Sequence, residues 1–166
     1  LTVPVRHQFG ESINQVQIRN PSFASSHEGI LRSQYPHTPM LSAVTELLHG
    51  YSGLSLSELN TIAIRWLAMQ LGLERPMIRS SELTSTGSGS LRLAQLVTQV
   101  GGTIYLSGRG GEGYQDPLVF REHSVCVQPL DYIARPYGRG ALSYRTGLSS
   151  IDALVHSGRE AGSLIA

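Results

Sequence analysis

From Leu91 to Leu130 the chain passes through a helix-patterned segment, a β-branched segment, a glycine-rich turn, a short capped segment and a second β-branched segment. That succession constrains the fold more than any other feature. Leu93, Leu96, Val97 and Val100 recur at helical spacing and stop at Gly101-Gly102, which predicts a helix delivering the chain into a strand over Thr103-Ile104-Tyr105-Leu106. The turn Ser107 to Tyr114 follows at once. Asp116-Pro117 then has the pattern of a cap followed by a first-turn proline, and Ser124 to Leu130 reads as the next strand. Strand, helix, strand at this length is a parallel crossover unit, whose sheet needs helices to cover it and whose binding sites form at the C-terminal ends of its strands.

The rest of the chain fits an α/β fold, with a mostly parallel sheet, flanking helices and a short N-terminal β-hairpin. Thr2 to Val5 and Ile13 to Ile18 read as the hairpin strands, with Phe9-Gly10-Glu11-Ser12 between them. Ser22 to Tyr35 suits an exposed helix with a weak packing face, ended by Pro36. Met40 to His49 and Ser55 to Leu71 are stronger helices. In the second, Ser55 and Glu58 form a capping-box pattern, Leu59, Ile62, Ala63, Trp66, Leu67 and Met69 recur on a core face, and Gly72 ends the run. Met77 to Ser81 reads as a short strand, Thr84 to Ser90 as a small-residue loop, and Ser149 to Val155 as a last helix. A chain of 166 residues, 40% of them hydrophobic, supports a single domain over residues 1–166.

Composition removes several classes of function. A net charge of +1 is too balanced for a nucleic-acid-binding face. All 13 basic residues are arginine, so lysine-dependent chemistry is excluded and any anion must be held by Arg, His or backbone N–H groups. No stretch has the length of a membrane span, and the lone Cys126 cannot form a disulfide within the chain, so a reducing, cytoplasmic setting is expected. Cys126 lies between two valines in a strand pattern and is expected to be a buried apolar thiol. The histidines show no ligand spacing, so no metal site is expected.

The turn itself places Gly108, Gly110, Gly111 and Gly113 within six positions directly after a strand. Such a segment can present backbone N–H groups to an anion or carboxylate, or be a surface loop with no ligand. Gly108, Gly110 and Gly113 also match the dinucleotide pattern G-x-G-x-x-G, with Asp131 after the following strand. The segment to His123 is too short for a crossover helix that carries a pyrophosphate, so no cofactor is expected. Ser80, Ser81 and Arg92 form a second polar group predicted near the same sheet edge. Tyr137, Arg139, Tyr144 and Arg145 make an aromatic and basic stretch suited either to stacking and phosphate contact or to an ordinary surface excursion.

Several blocks together resemble the WbqC-like family of bacterial proteins. Leu1 to Val5 is similar to that family's strand ending in Leu-Pro-Val. His27 to Tyr35 with Pro39 resembles its His-containing helix, and Leu71-Gly72-Leu73 to Ser80-Ser81-Glu82-Leu83 resembles its Leu-Gly-Ile strand and Ser-Ser-x-Leu ending. Arg92-Leu93 through Gly101, then Tyr105-Leu106-Ser107-Gly108 with Tyr114 and Phe120, is similar to its Arg-Leu helix and Tyr-Leu-Ser-Gly turn. Tyr137 through Leu148 to Leu154 and Gly158 is similar to its closing block, with Arg139 where the family has Gln and Thr146 where it has Pro. The family's N-terminal block, rich in Gln-Pro-x-Tyr and Pro-Trp-x-Gly, has no counterpart, and the chain opens without Met, so a preceding segment is expected.

The resemblance implies a role in O-antigen, surface-polysaccharide or natural-product assembly. The expected chemistry is transfer of an acyl or aminoacyl group to an amine on a sugar or metabolite. Ser107, Gly108, Gly110 and Gly111 would hold an anionic or carbonyl oxygen. Ser80, Ser81, Arg92, Tyr114, Tyr137 and Arg139 would orient the substrate, and Asp152 or His123 would move a proton. The expected partners are a small-molecule substrate (amino acid, acyl donor or sugar nucleotide) and, in some reactions, a carrier protein, with no nucleic acid and no membrane. A non-catalytic binding module and a dinucleotide-dependent oxidoreductase are the competing readings.

Overall fold

The computed structural model describes residues 1–50, 54–111, 113–133, 136–137 and 147–165. Helix and sheet are mixed as expected, and the chain separates into two compact units, Leu1–Glu74 with Ala134–Ala166, and Arg75–Ile133.

In the first unit β1 (Val5–Arg6) pairs antiparallel with β2 (Gln17–Ile18), with Val5 opposite Ile18. The expected hairpin is present, though each strand keeps only two residues. α1 (Phe23–Gln34) follows, and its packing face is stronger than its sparse apolar residues suggest. Phe23, His27 and Leu31, spaced by four, are all buried, with Ala24 beside them. The His27 ring meets Phe23 edge-on and its Nε2 lies 3.2 Å from the Thr2 carbonyl oxygen, tying α1 to the N-terminal segment. α2 (Met40–His49) buries Leu41, Val44 and Thr45.

α3 (Leu56–Gln70) opens with the predicted capping box. The Glu58 amide donates to Ser55 Oγ at 3.3 Å, and the Ser55 amide donates to Glu58 Oε2 at 2.8 Å. Only Leu59 of α3 is fully buried. Trp66 and Leu67 pack partly against the core, whereas Ile62 and Met69 are exposed, so the core face is narrower than the periodicity predicts. Gly72 (φ +66°) ends the helix, with the Leu73 amide donating to the Ala68 carbonyl at 2.8 Å. α6 (Ser150–Ser157) buries Asp152, Ala153, Leu154 and Val155, and its first turn is capped by Ser149 Oγ. α7 (Ala161–Ile165) closes the chain. Leu71, Ala153, Leu154 and Ala161 form the main core cluster, with Met40, Trp66, Leu67, Leu73 and Tyr137 against it.

The second unit is the crossover unit read from the sequence. α4 (Gly89–Gln99) leads through Gly101 (φ +72°) into β3 (Ile104–Ser107), then α5 (Pro117–Glu122) and β4 (Cys126–Pro129). β3 and β4 pair in parallel, Ile104 opposite Cys126 and Ser107 opposite Pro129. Ala94, Phe120 and Val125 make the core between helices and sheet, with Tyr105 stacked on Phe120 at 5.2 Å between ring centroids.

Two expectations fail in this unit. Met77 to Ser81 forms no strand. Residues 75–79 are irregular, and Ser80–Glu82 is a single 3₁₀ turn. The segment joins neither of the two described sheets, and extended propensity alone does not make a strand. Cys126 is exposed rather than buried. The alternation of a strand sends Tyr105 and Val127 toward α4 and α5, while Ile104, Leu106 and Cys126 stand exposed on the opposite face.

Candidate functional site

The glycine turn lies where crossover topology places binding sites, at the C-terminal end of β3. Ser107 anchors its entrance. This residue is buried, its carbonyl accepts from the Leu130 amide at 2.7 Å, and its hydroxyl lies 3.0 Å from Gln115 Oε1. The turn is therefore stitched to its own exit through Gln115. Gly111 is required by this closure, because a Cβ there would overlap Gln115 Nε2 and Ser107 Oγ. None of Gly108, Gly110, Gly111 or Gly113 has positive φ, and added side chains at Gly108, Gly110 and Gly113 would meet open space. The reason for glycine at those three positions is thus not backbone strain.

Two amides of the turn are used internally. Gly111 N–H donates to the Gly108 carbonyl at 2.9 Å, and Tyr114 N–H donates to the Gly111 carbonyl at 3.2 Å. Gly108, Arg109 and Gly110 are exposed, and their amides have no partner among the described residues. Arg109 Nη2 donates to Asp131 Oδ1 at 3.2 Å, linking the segments that follow the two strands. Both side chains are exposed, so this pair orients more than it stabilises.

The start of α4 joins the same place. The Asp116 amide donates to Ser90 Oγ at 2.8 Å, while the Asp116 carboxylate caps α5 by accepting from the Leu118 amide at 2.9 Å. The beginnings of α4 and α5 thus converge beside the exit of the turn. Arg92, in the first turn of α4, is half-buried and its guanidinium has no partner among the described residues. The loop before α4 is fixed along that helix. Gln95 Oε1 accepts from the amides of Thr86 and Gly87, and Gln99 exchanges hydrogen bonds with both backbone groups of Thr84.

The other predicted site residues lie elsewhere. Ser80 and Ser81 are exposed on the 3₁₀ turn, and Ser80 lines an apolar groove of about 490 Å³ with Ile78, Leu83, Leu96, Val97 and Val100. That groove follows the C-terminal half of α4. Val97 is seven residues past Ser90, about 10 Å along the helix axis, so Ser80 is not brought to the turn. Tyr114 is exposed at the turn's exit. His123 caps the far end of α5, its Nδ1 3.0 Å from the Val119 carbonyl oxygen, at the end that feeds β4 and away from the turn. Arg139 lies outside the described residues.

Tyr137 and Asp152 belong to the first unit, where they meet. Tyr137 Oη donates to Asp152 Oδ2 at 2.8 Å, and Tyr35 Oη donates to Asp152 Oδ1 at 2.6 Å. His156 Nδ1 is 3.6 Å from Asp152 Oδ1. Tyr35 and His156 were not singled out by sequence. Asp152 and His156 stand four apart on one helix, a spacing that puts side chains on the same face and is readable in advance. Nothing local to Tyr35, 117 residues away, connects it to Asp152.

Among the described residues no group of three or more His, Cys, Asp or Glu side chains converges as a metal site. No described helix is long and apolar enough to cross a membrane. The dinucleotide pattern lacks its geometry, since α5 begins four residues beyond Gly113 and holds six residues, so the turn does not run into a helix at its last glycine.

No solved structure matches the chain. It is 27% identical to the uncharacterized protein Rv1507c of Mycobacterium tuberculosis, a similarity covering 97% of this chain and 73% of that protein. The model of the WbqC-like protein family matches residues 1–164, from the N-terminal hairpin through the glycine turn to α7, and the chain belongs to that family.

Proposed function

We propose that this chain serves bacterial O-antigen, surface-polysaccharide or natural-product assembly as a group transferase, moving an acyl or aminoacyl group to an amine. The donor's carbonyl or carboxylate oxygen binds at the glycine turn. One observation carries the reading. Gly108 to Gly110, three consecutive exposed residues, lie at the C-terminal end of a parallel strand, and their amides have no partner among the described residues. Donors arranged before reaction stabilise an oxygen that gains negative charge in the transition state, and removing one such donor typically lowers kcat by about 10²–10³. Arg109, Arg92 and Tyr114 border the turn and would orient an amino acid, an acyl donor or a sugar nucleotide. A carrier protein delivering the acyl group is compatible with so exposed a turn.

The test replaces Gly110 by Val, whose β-branched side chain meets open space at its Cβ and so leaves the fold intact while adding bulk to the middle of the turn. Circular dichroism should be unchanged. Binding of acyl donors such as acetyl-coenzyme A, and turnover with an amine acceptor, should be lost. Unchanged binding and turnover in that variant removes the turn from the site.

A second reading, a non-catalytic binding module for a small molecule or a carrier protein, is favoured by one feature of this unit. His123, its expected proton carrier, sits at the opposite end of α5 from the turn. In that case the wild-type protein retains a ligand at the turn and turns over no donor.

A further inference from the structure

α4 carries a cation and an apolar surface on one row. Arg92, Leu96 and Val100, the last at the helix's C-cap, are spaced by four, which stacks their side chains along one side of α4. Leu96 and Val100 line the groove of about 490 Å³ whose opposite wall is the segment from Pro76 to Leu83. All of it lies within the second unit. Among the described residues that line the groove, Ser80 alone is polar, yet Ile78 and Val100 keep 54% and 53% of their surface exposed. Apolar side chains left uncovered beside one another are stabilised by an occupant that takes them out of water.

The chemistry of the walls selects that occupant. A sugar or a peptide would give up hydrogen bonds to water there, against side chains that offer one hydroxyl. A hydrocarbon chain gives up none, and the volume lies within the range of small-molecule sites, about 300–1,000 Å³. Arg92 supplies the other requirement. Its guanidinium is half-buried with no partner among the described residues. Side chains on a helix lean toward its N-terminus, and that end of α4 meets the exit of the glycine turn through Ser90 and Asp116. An apolar groove continued by an unpaired cation is complementary to an amphiphile, with its tail along Val100 and Leu96 and its oxygen-bearing head toward Arg92.

Helix geometry also sets the length of the tail. Val100 is eight residues beyond Arg92, about 12 Å along the axis. An extended polypeptide advances about 3.3–3.6 Å per residue, or per three backbone bonds. A hydrocarbon chain with the same advance per bond covers that span in about ten bonds.

We propose that the groove between α4 and the segment from Pro76 to Leu83 holds the hydrocarbon chain of an acyl group of about eight to ten carbons, with its carbonyl end toward Arg92. The assignment rests on the acyl-transfer reading of the glycine turn and names its substrate class, a medium-chain acyl donor. No bond is made or broken in the groove. Its part is to bind the chain and to fix how far the carbonyl reaches, so that a donor is selected by length. An acetyl group leaves the groove empty.

The test titrates octanoate and acetate into the full chain, labelled in its leucine and valine methyl groups and its backbone amides. Octanoate should shift the methyl resonances of Leu96 and Val100 together and saturably, and acetate should not. From butanoate to octanoate each added methylene should tighten binding about two- to fourfold. Val100→Asp and Ile78→Asp place a charge in the groove at half-exposed positions that the fold tolerates, and each should weaken octanoate at least tenfold with circular dichroism unchanged. Arg92→Gln should weaken octanoate about tenfold and leave octanol binding as it was. Groove methyl groups that ignore octanoate, or an affinity independent of chain length, overturn the proposal. So do methyl shifts produced by raising the protein concentration alone, which mean that a second copy fills the groove. If the variants fail to fold, the wild-type methyl shifts and chain-length series decide. Octanoyl-coenzyme A separates this proposal from the reading it rests on. Shifts at the Gly108 to Gly110 amides with silent groove methyl groups refute the groove alone, whereas shifted methyl groups with silent amides support the chain site and refute the reading of the turn.

Discussion

Replacing Tyr35 by Phe removes one hydroxyl and leaves the ring that packs against His156. The lost contact is a 2.6 Å hydrogen bond to a buried carboxylate whose Oδ1 also stands 3.6 Å from the His156 imidazole. Hydrogen bonds to charged groups contribute about 1.5–3 kcal/mol, so a loss of about 2 kcal/mol is expected, equivalent to roughly thirtyfold in the folding equilibrium. For a chain of this length that corresponds to a fall in Tm of about 4–8 °C. Tyr137→Phe removes the 2.8 Å bond to Oδ2 and should cost a similar amount. The two hydroxyls serve one carboxylate, so removing both should cost more than the sum of the single losses, by about 0.5 kcal/mol or more. Trp66, the chain's one tryptophan, packs against the same core cluster as Tyr137, so its emission during urea unfolding reports on this unit. Single losses below about 0.5 kcal/mol, or strict additivity, would refute the claim that the phenols hold a shared buried charge.

Three further outcomes follow from the first unit. A Cβ at Gly162 would overlap the Leu71 carbonyl oxygen where α7 meets the end of α3, so Gly162→Ala should undock α7 at a cost of about 1–3 kcal/mol; unchanged hydrogen exchange at Ala161 to Ser163 would refute this contact. Ser55→Ala removes half of the capping box and should lower stability by about 1 kcal/mol in urea titrations, whereas Ser55→Gly should cost only a few tenths. The Glu28 carboxyl is held below its ordinary value of 4.5, first by the hydrogen bond with His49 and then by Arg32. A lowered carboxyl stabilises the fold above the unfolded-state value and loses that contribution as pH falls through the folded-state one. The link between α1 and α2 should therefore weaken below about pH 4.5, and Glu28→Gln should remove that part of the acid sensitivity, with an identical acid melting curve counting against it.

The second unit was legible because its signals are local. The Leu93 to Val100 face, the stop at Gly101, the strand that follows and the Asp116-Pro117 cap each act within a few residues, and together they specify one topology. The Ser55–Glu58 capping box was legible for the same reason. What depended on distant partners was not. Met77 to Ser81 has a strand's residues but joins no described sheet, and Cys126 has a core residue's sequence neighbours on an exposed face of its strand. At the candidate site, glycine spacing marked the turn, while the stitching of Ser107 to Gln115 and the union of Ser90 with Asp116 join residues 8 and 26 apart and left no pattern. Asp152 was noticed as an acidic residue near the end of the chain. Its meaning came from Tyr35, on a different helix.

In the proposed function the amides of Gly108, Arg109 and Gly110 receive a donor's oxygen, and backbone amide resonances report on that contact directly. Titrating the ¹⁵N-labelled full chain with acetyl-coenzyme A, with glycine and with a uridine-diphosphate sugar asks the turn which of the three donor classes it binds. At least one should shift the resonances of Gly108, Arg109 and Gly110 together and saturably, and Gly110→Val should abolish the shift. No change at these three amides with any of the three probes, or saturable changes confined to other residues, would contradict it.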